Sequence, residues 1–190
     1  MYNVERIKKP GYVLLVLLVL AVIFLIQVTG DEYPPPGERE VNVYFATDDA
    51  MYLDTEIRTL PGEDLYREAI EEVIAGPESG DLRPTVSEAT ELIDYSYEDG
   101  LIILNFNEAI RSDHPGGSTG ERLTIYSIVN TMAALPGIDQ VAFRIEGEEL
   151  ETLVGHLDLT IPYSYSEDIL LENTPDQEST EEYEIEIEDN

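Results

Sequence analysis

The chain has 190 residues, a formal net charge of −31 and no cysteine; that leaves room for one domain with a real core plus an anchor and tails, and it excludes disulfides, thiolate catalysis and a cysteine-linked lipid anchor. Of its 41 carboxylates and ten basic residues, only Glu5, Arg6, Lys8 and Lys9 lie within residues 1–30, so forty carboxylates face seven arginines in the remainder. Such an excess repels nucleic-acid phosphates and anionic lipid head groups as direct ligands, and it fits adaptation to a salty medium, with a cationic partner as the competing explanation.

In chain order, Arg6, Lys8 and Lys9 precede an uninterrupted apolar run from Val13 to Ile26. This reads as a transmembrane helix with its basic end in the cytoplasm and the rest of the chain exported. With Tyr12, Gln27 and Val28 included, the helix would rise about 25 Å, near the lower limit for a span. The same run fits the apolar region of a cleaved signal peptide, with Val28 and Gly30 at the small-residue positions before a cut at Asp31. Residues 1–30 are thus an anchor or a signal, and the product is held on the outer face of the membrane or secreted. Residues 31–40 include three consecutive prolines and form an extended spacer reaching at most about 31 Å, which keeps the following domain near the membrane.

Val41, Val43 and Phe45 open a strand, Thr47 to Ala50 turn, and Met51 to Leu60 alternates Met51, Leu53 and Ile57 against Tyr52, Asp54, Glu56 and Arg58, which predicts a hairpin. A helix from about Glu63 to Ala75 buries Leu65, Ala69, Ile70, Val73 and Ile74 and stops at Gly76-Pro77, with Glu63 and Asp64 at its positive end. Glu78 to Glu88 is polar and reads as a loop. Leu92–Tyr97 and Leu101–Phe106 flank Asp99-Gly100, a two-residue hairpin signal, and the second of these strands is apolar on both faces, as a central strand should be.

Ser118 and Glu121 have capping-box spacing, so a second helix begins near Thr119. Ile125, Ile128, Val129, Met132 and Leu135 form its apolar stripe, and Pro136-Gly137 ends it. Val141, Phe143 and Ile145 then alternate with Ala142, Arg144 and Glu146 as a strand with one buried face, and a weaker alternation of Leu157, Leu159 and Ile161 predicts a short edge strand ended by Pro162. From Glu167 to Asn190 there are carboxylates and no basic residue, so residues 163–190 read as an acidic, disordered tail. Residues 41–162 therefore predict an α+β domain, two helices packed on one face of a mixed sheet of about four or five strands.

Candidate chemistry is sparse. The only histidines are His114, in the loop before the second helix, and His156, beside Gly155 in a polar connection; each reads as a surface residue, and the pair has no zinc spacing. Gly116-Gly117-Ser118-Thr119-Gly120 lacks the lysine of a phosphate loop and has Asp113 and Glu121 beside it. Asp48, Asp49 and Asp54 lack the calcium-loop pattern and its central glycine. Glycoside hydrolysis needs two placed carboxylates, which forty candidates cannot single out, and there is no tryptophan for a sugar platform. No catalytic, cofactor-binding or metal-ligating residue is assigned. Tyr44, Tyr52, Tyr95 and Tyr97 fall on strands, where their rings cover a sheet face or meet a partner, with packing inside the monomer as the default.

The order of these pieces resembles the GerMN domain family, a sporulation and spore-germination domain, over about Val41 to Pro162. The resemblance lies in a glycine- and serine-rich lead into Glu121, Ile125 to Thr131 and Leu135 to Gly137, after the strand VNVYFA, the segment MYLDTEIR, the AGP stop and the hairpin LIDYSYEDGLIILNFN. It covers a single unit, where the family's namesake has two in tandem. The resemblance implies a non-enzymatic, extracytoplasmic interaction or assembly domain without a cofactor, meeting a protein partner or itself through strand edges and a helix face. An extracytoplasmic enzyme or ligand-binding domain acting on cell-wall material is the alternative.

Overall fold

In the computed structural model, which describes residues 37–171, the first two strands form the expected hairpin. Strand β1, Arg39–Thr47, pairs antiparallel with β2, Leu53–Leu60. Helix α1, Leu65–Ala75, follows; Asp64 caps it by accepting the Arg67 N–H, and Gly76 closes it. Strand β3, Leu82–Arg83, lies within the segment expected to be loop and pairs antiparallel with Ala46 and Thr47. Strands β4, Leu92–Glu98, and β5, Leu101–Phe106, make the second hairpin. Its turn residues Asp99 and Gly100 have φ of 48° and 81°, the paired positive values that a type I′ turn requires. A one-turn helix α2, Ala109–Ser112, precedes α3, Ser118–Ala133, and then come β6, Gln140–Ile145, and the two-residue β7, Glu148–Glu149.

The domain is α+β, but its strands divide into two sheets rather than the single one expected: β2-β1-β3 with three strands and β4-β5-β6-β7 with four. The second is mixed, since β5 pairs antiparallel with β4 and parallel with β6. Side chains of α3 explain the division. On the edge of β1 away from β2, the Tyr44 N–H donates to the Thr131 hydroxyl at 3.1 Å, so a helix occupies the place where a ladder would have continued. Helix α3 packs on β1, α1 and β6, while α1 packs on β1, β2 and β4. The helices thus touch both sheets, and one continuous core runs from Val43 and Phe45 through Ile70, Ile128 and Met132 to Leu104 and Phe143.

As expected, β5 is interior to its sheet, and Val141, Phe143 and Ile145 turn inward. Phe143 is buried in the core, so Phe143→Ala should cost about 3–5 kcal/mol in the denaturant-unfolding free energy. A loss below about 1 kcal/mol would mean that the site refills from its neighbours.

The alternation expected in β2 fails. Ile57 is 67% exposed and Met51 53%, whereas Arg58 is buried. Arg58 lies opposite Val41 and on the face of Val43 and Phe45 because its charge is met there. It reaches Glu56 at 2.6 Å and Glu78 at 2.7 Å, donates to the Gly76 carbonyl at 3.1 Å, and lies over the Phe45 ring. Paired carboxylates let an arginine take a core position that hydrophobicity alone assigns to isoleucine.

The edge strand expected near Leu157 to Ile161 is also absent. That segment is irregular, Ile161 is 56% exposed, and the nearest ladder contact is a single bridge between Val141 and Tyr163. Beyond Pro162, Ile169 and Leu170 join Tyr44, Ala46, Leu53 and Leu123 in a smaller cluster on the opposite face of β1, and the Leu53 N–H donates to the Ile169 carbonyl at 2.7 Å. Residues 163–171, read as the start of a disordered tail, are therefore part of the domain, because Ile169 and Leu170 find apolar neighbours there; the membrane segment or signal at residues 1–30, residues 31–36 of the spacer and residues 172–190 of the tail lie outside the described residues. No helix among the described residues is long and apolar enough to cross a membrane.

Candidate functional site

The polar side chains of α3 and its lead-in loop are the first place to look for chemistry, because several are buried on a helix whose apolar stripe already faces the core. Glu121, Thr124, Ser127, Asn130 and Thr131 all lie inside. Each has a local partner. Thr124 donates to the Thr85 carbonyl at 2.6 Å, Ser127 to the Thr124 carbonyl at 3.0 Å and Thr131 to the Ser127 carbonyl at 2.7 Å, while Asn130 exchanges two hydrogen bonds with the backbone of Ser166. This helix is buried nearly all round, its polar face sealed by loops.

Glu121 departs most from its expected role. The N-cap of α3 is Gly117, which makes no side-chain cap hydrogen bond, so Ser118 and Glu121 do not form a capping box. Glu121 points instead at the loop after β7 and is fully buried. Its Oε1 accepts from the Thr152 hydroxyl at 2.8 Å and the N–H groups of Leu153 and Val154 at 3.0 Å; its Oε2 accepts from the His156 N–H at 2.7 Å. Burial favours the neutral acid, but the four hydrogen bonds outweigh it and hold the carboxyl below the usual carboxylate range. Glu121 is a fastener for residues 152–156, to which all four of these hydrogen bonds are made.

His114 is half-buried and not the surface residue expected. Its Nδ1 accepts the Gly116 N–H at 2.8 Å, which leaves Nε2 to donate to Thr124 Oγ1 at 3.1 Å. Burial is the main cause that lowers its pKa, so the neutral ring is favoured and both nitrogens are committed to holding the α2–α3 loop. The ring of His156 is exposed, and only its backbone takes part in the Glu121 contact. The acidic turn is similarly self-contained: Asp48 pairs with Arg83, Asp49 accepts from the Thr47 hydroxyl and the Met51 N–H, and Asp54 accepts from the Thr55 N–H. These carboxylates face separate partners and do not converge.

Three of the tyrosines lock the turn that ends α3. Tyr66 donates to the Pro136 carbonyl at 2.9 Å and Tyr97 to the Gly137 carbonyl at 3.0 Å, and the Tyr66 ring packs 6.0 Å from Tyr95 and 5.6 Å from Tyr97. The Leu135–Gly137 stop is thereby a structural joint between α1, α3 and β4. Beside it runs an open groove of about 530 Å³, bordered by Val41, Asn42, Ile57, Leu65, Leu135 and Pro136. With the buried polar groups of α3 satisfied internally, this groove and the neighbouring β2 edge are the exposed features left to examine for contact.

A family model described as Germane, sporulation and spore germination, matches residues 42–151, more than half of the chain. The chain belongs to this family. Solved structures give the same fold. A Clostridium perfringens protein provisionally described as a lipoprotein superposes with a TM-score of 0.51 at 24% identity, over 72% of this chain and 94% of that one. The tandem GerMN domains of the sporulation protein GerM from Bacillus subtilis give 0.55 at 23% identity, over 68% of this chain and 46% of theirs. The first GerMN domain of GerM alone gives 0.53 at 19% identity, over 68% of this chain and 98% of that domain. The Germane chain is thus a GerMN-type domain matching one unit of the tandem, in agreement with the resemblance read from its motifs. No curated protein sequence matches it.

Proposed function

We propose that this Germane chain is a non-enzymatic interaction domain held at the outer face of the cell membrane, acting in sporulation or spore germination by contact with another protein of the envelope. The family's description supports the process. The observation that carries the mechanism is the inward commitment of the buried Glu121 and the half-buried His114, groups otherwise suited to acid–base work. Carboxylates and histidines used to fasten loops leave function to the surface. The basic stub before Val13 supports an outward-facing domain.

Protease added to intact protoplasts should digest the domain, and full protection of residues 41–162 would overturn its placement. The N-terminal residue of the mature chain distinguishes an anchor from a cleaved signal. His156→Ala should leave both stability and phenotype unchanged. His114→Ala should cost about 1–2 kcal/mol in unfolding free energy through its two hydrogen bonds, yet the folded fraction should keep its function. Loss of function in a folded His114→Ala or His156→Ala protein would replace this reading with an enzyme or ligand-binding domain acting on cell-wall material.

A further inference from the structure

The hydrogen-bond phase of the first hairpin identifies which backbone groups of β2 face outward. Thr47 N–H donates to the Tyr52 carbonyl, which makes residues 47 and 52 a hydrogen-bonded pair. With the register Phe45↔Asp54, Val43↔Glu56 and Val41↔Arg58, the alternation of an antiparallel ladder turns the amides of Asp54, Glu56 and Arg58 toward β1 and those of Leu53, Thr55, Ile57 and Thr59 away from it. The Leu53 N–H obeys this phase, since it is taken by the Ile169 carbonyl, and the Thr55 N–H is taken by the Asp54 carboxylate at 2.7 Å. Among the described residues, no backbone partner meets the outward groups of Ile57 and Thr59, where β2 is the outer strand of its sheet.

This free rung coincides with the most exposed large apolar side chain among the described residues, Ile57 at 67%, on the border of the groove. The opposite face of the strand has a different character. There Arg58 is ion-paired with Glu56 and with the 86% exposed Glu78 side chain, and Asp54 is exposed further along the same face. A strand laid against β2 would place alternate side chains beside Ile57 and beside these carboxylates. Of the other edges, β3 and β7 have two residues each, and β4 has its Leu92 carbonyl taken by Arg67 at 3.0 Å.

We infer that the Ile57–Thr59 edge of β2 accepts an extended segment of another protein whose residues alternate apolar and basic. Charge selects that occupant over a second copy of this chain, which brings the same net charge of −31 and at this strand only Arg58, buried and already paired. The inference rests on the interaction reading above and specifies its surface.

A dye-labelled peptide of alternating valine and lysine, titrated with the full chain in nanodiscs at physiological ionic strength, tests it by fluorescence anisotropy. Binding is expected. It should weaken about tenfold, the effect of one lost hydrogen bond or apolar anchor, in Ile57→Pro, which deletes an outward N–H that β1 does not use. Ile57→Lys changes only an exposed side chain and should weaken it as well. N-methylation of one alternate set of peptide amides should abolish binding while methylation of the other set should not. Absence of binding, equal binding by wild type and both variants, or equal loss from either methylation set would overturn the proposal; so would self-association of the chain that Ile57→Pro abolishes. None of these failures touches the orientation and histidine experiments, which judge the broader reading separately.

Discussion

Glu121→Ala is expected to lower the unfolding free energy by about 2–4 kcal/mol, because it strands three backbone N–H groups and one hydroxyl that share a single buried acceptor. The range stays below four full penalties because Val154 and His156 are not fully buried and can reach water when the loop lifts. Glu121→Gln should fall between, since its amide presents N–H to N–H on one side. The effect has a pH signature. The folded pKa of Glu121 lies below its ordinary value, so its contribution is present above the unfolded carboxylate pKa, about 4.3, and fades as the pH falls through the folded one. The stability gap between wild type and Glu121→Gln should therefore be constant near neutrality and shrink in acid. A gap that is pH-independent down to strong acid, or a loss below about 0.5 kcal/mol, would mean that the loop does not depend on this carboxylate.

Arg58→Ala should cost about 3–5 kcal/mol, the range for removing one partner of a buried ion pair. Of the three carboxylates near the guanidinium, Glu72 lies at 3.5 Å and Glu56 and Glu78 sit closer at similar distances, yet these two should not count equally. Glu56 is 14% exposed, whereas Glu78 is 86% exposed and is screened by water. Glu56 also accepts the N–H groups of Glu78 and Ser79 at 3.0 and 2.6 Å, so Arg58 stabilises the loop after α1 through it. Denaturant unfolding of Arg58→Ala and Glu78→Ala separates the two carboxylates: the second change should cost less than about 1 kcal/mol. Similar losses from both would show that exposure is the wrong guide here.

Much of the architecture was legible because its signals are local. The Asp99-Gly100 turn needs positive φ at adjacent positions, the Gly76-Pro77 and Pro136-Gly137 stops break helices whatever lies around them, and the alternation of Val141, Phe143 and Ile145 carries a period of two. The family resemblance rests on the same motifs in their order. Sequence could not read Ile57 and Arg58 correctly, because which face of β2 turns inward depended on the Glu72 and Glu78 carboxylates and the Gly76 carbonyl, which folding alone brings beside the local Glu56. Nor could it separate a capping glutamate from one that fastens a loop thirty residues away, since the spacing from Ser118 is the same in both cases. A carboxylate at the head of a helix with so many uncharged polar residues was the available hint.

By itself, then, the sequence determined the α+β class, the order and approximate extent of the two longer helices, the central place of β5, the family, and the acidity that any partner must accommodate, all properties of short-range backbone preference and composition; the one-turn helix α2 it did not show. Only the tertiary structure decided that the strands separate into two sheets, because a hydroxyl of Thr131 meets the Tyr44 N–H where another strand would have paired. It also decided that Glu121 and His114 are turned inward as fasteners, and that Ile57 is left at an open edge. These outcomes depend on which distant groups satisfy a buried charge or backbone amide, and that is settled by three-dimensional proximity.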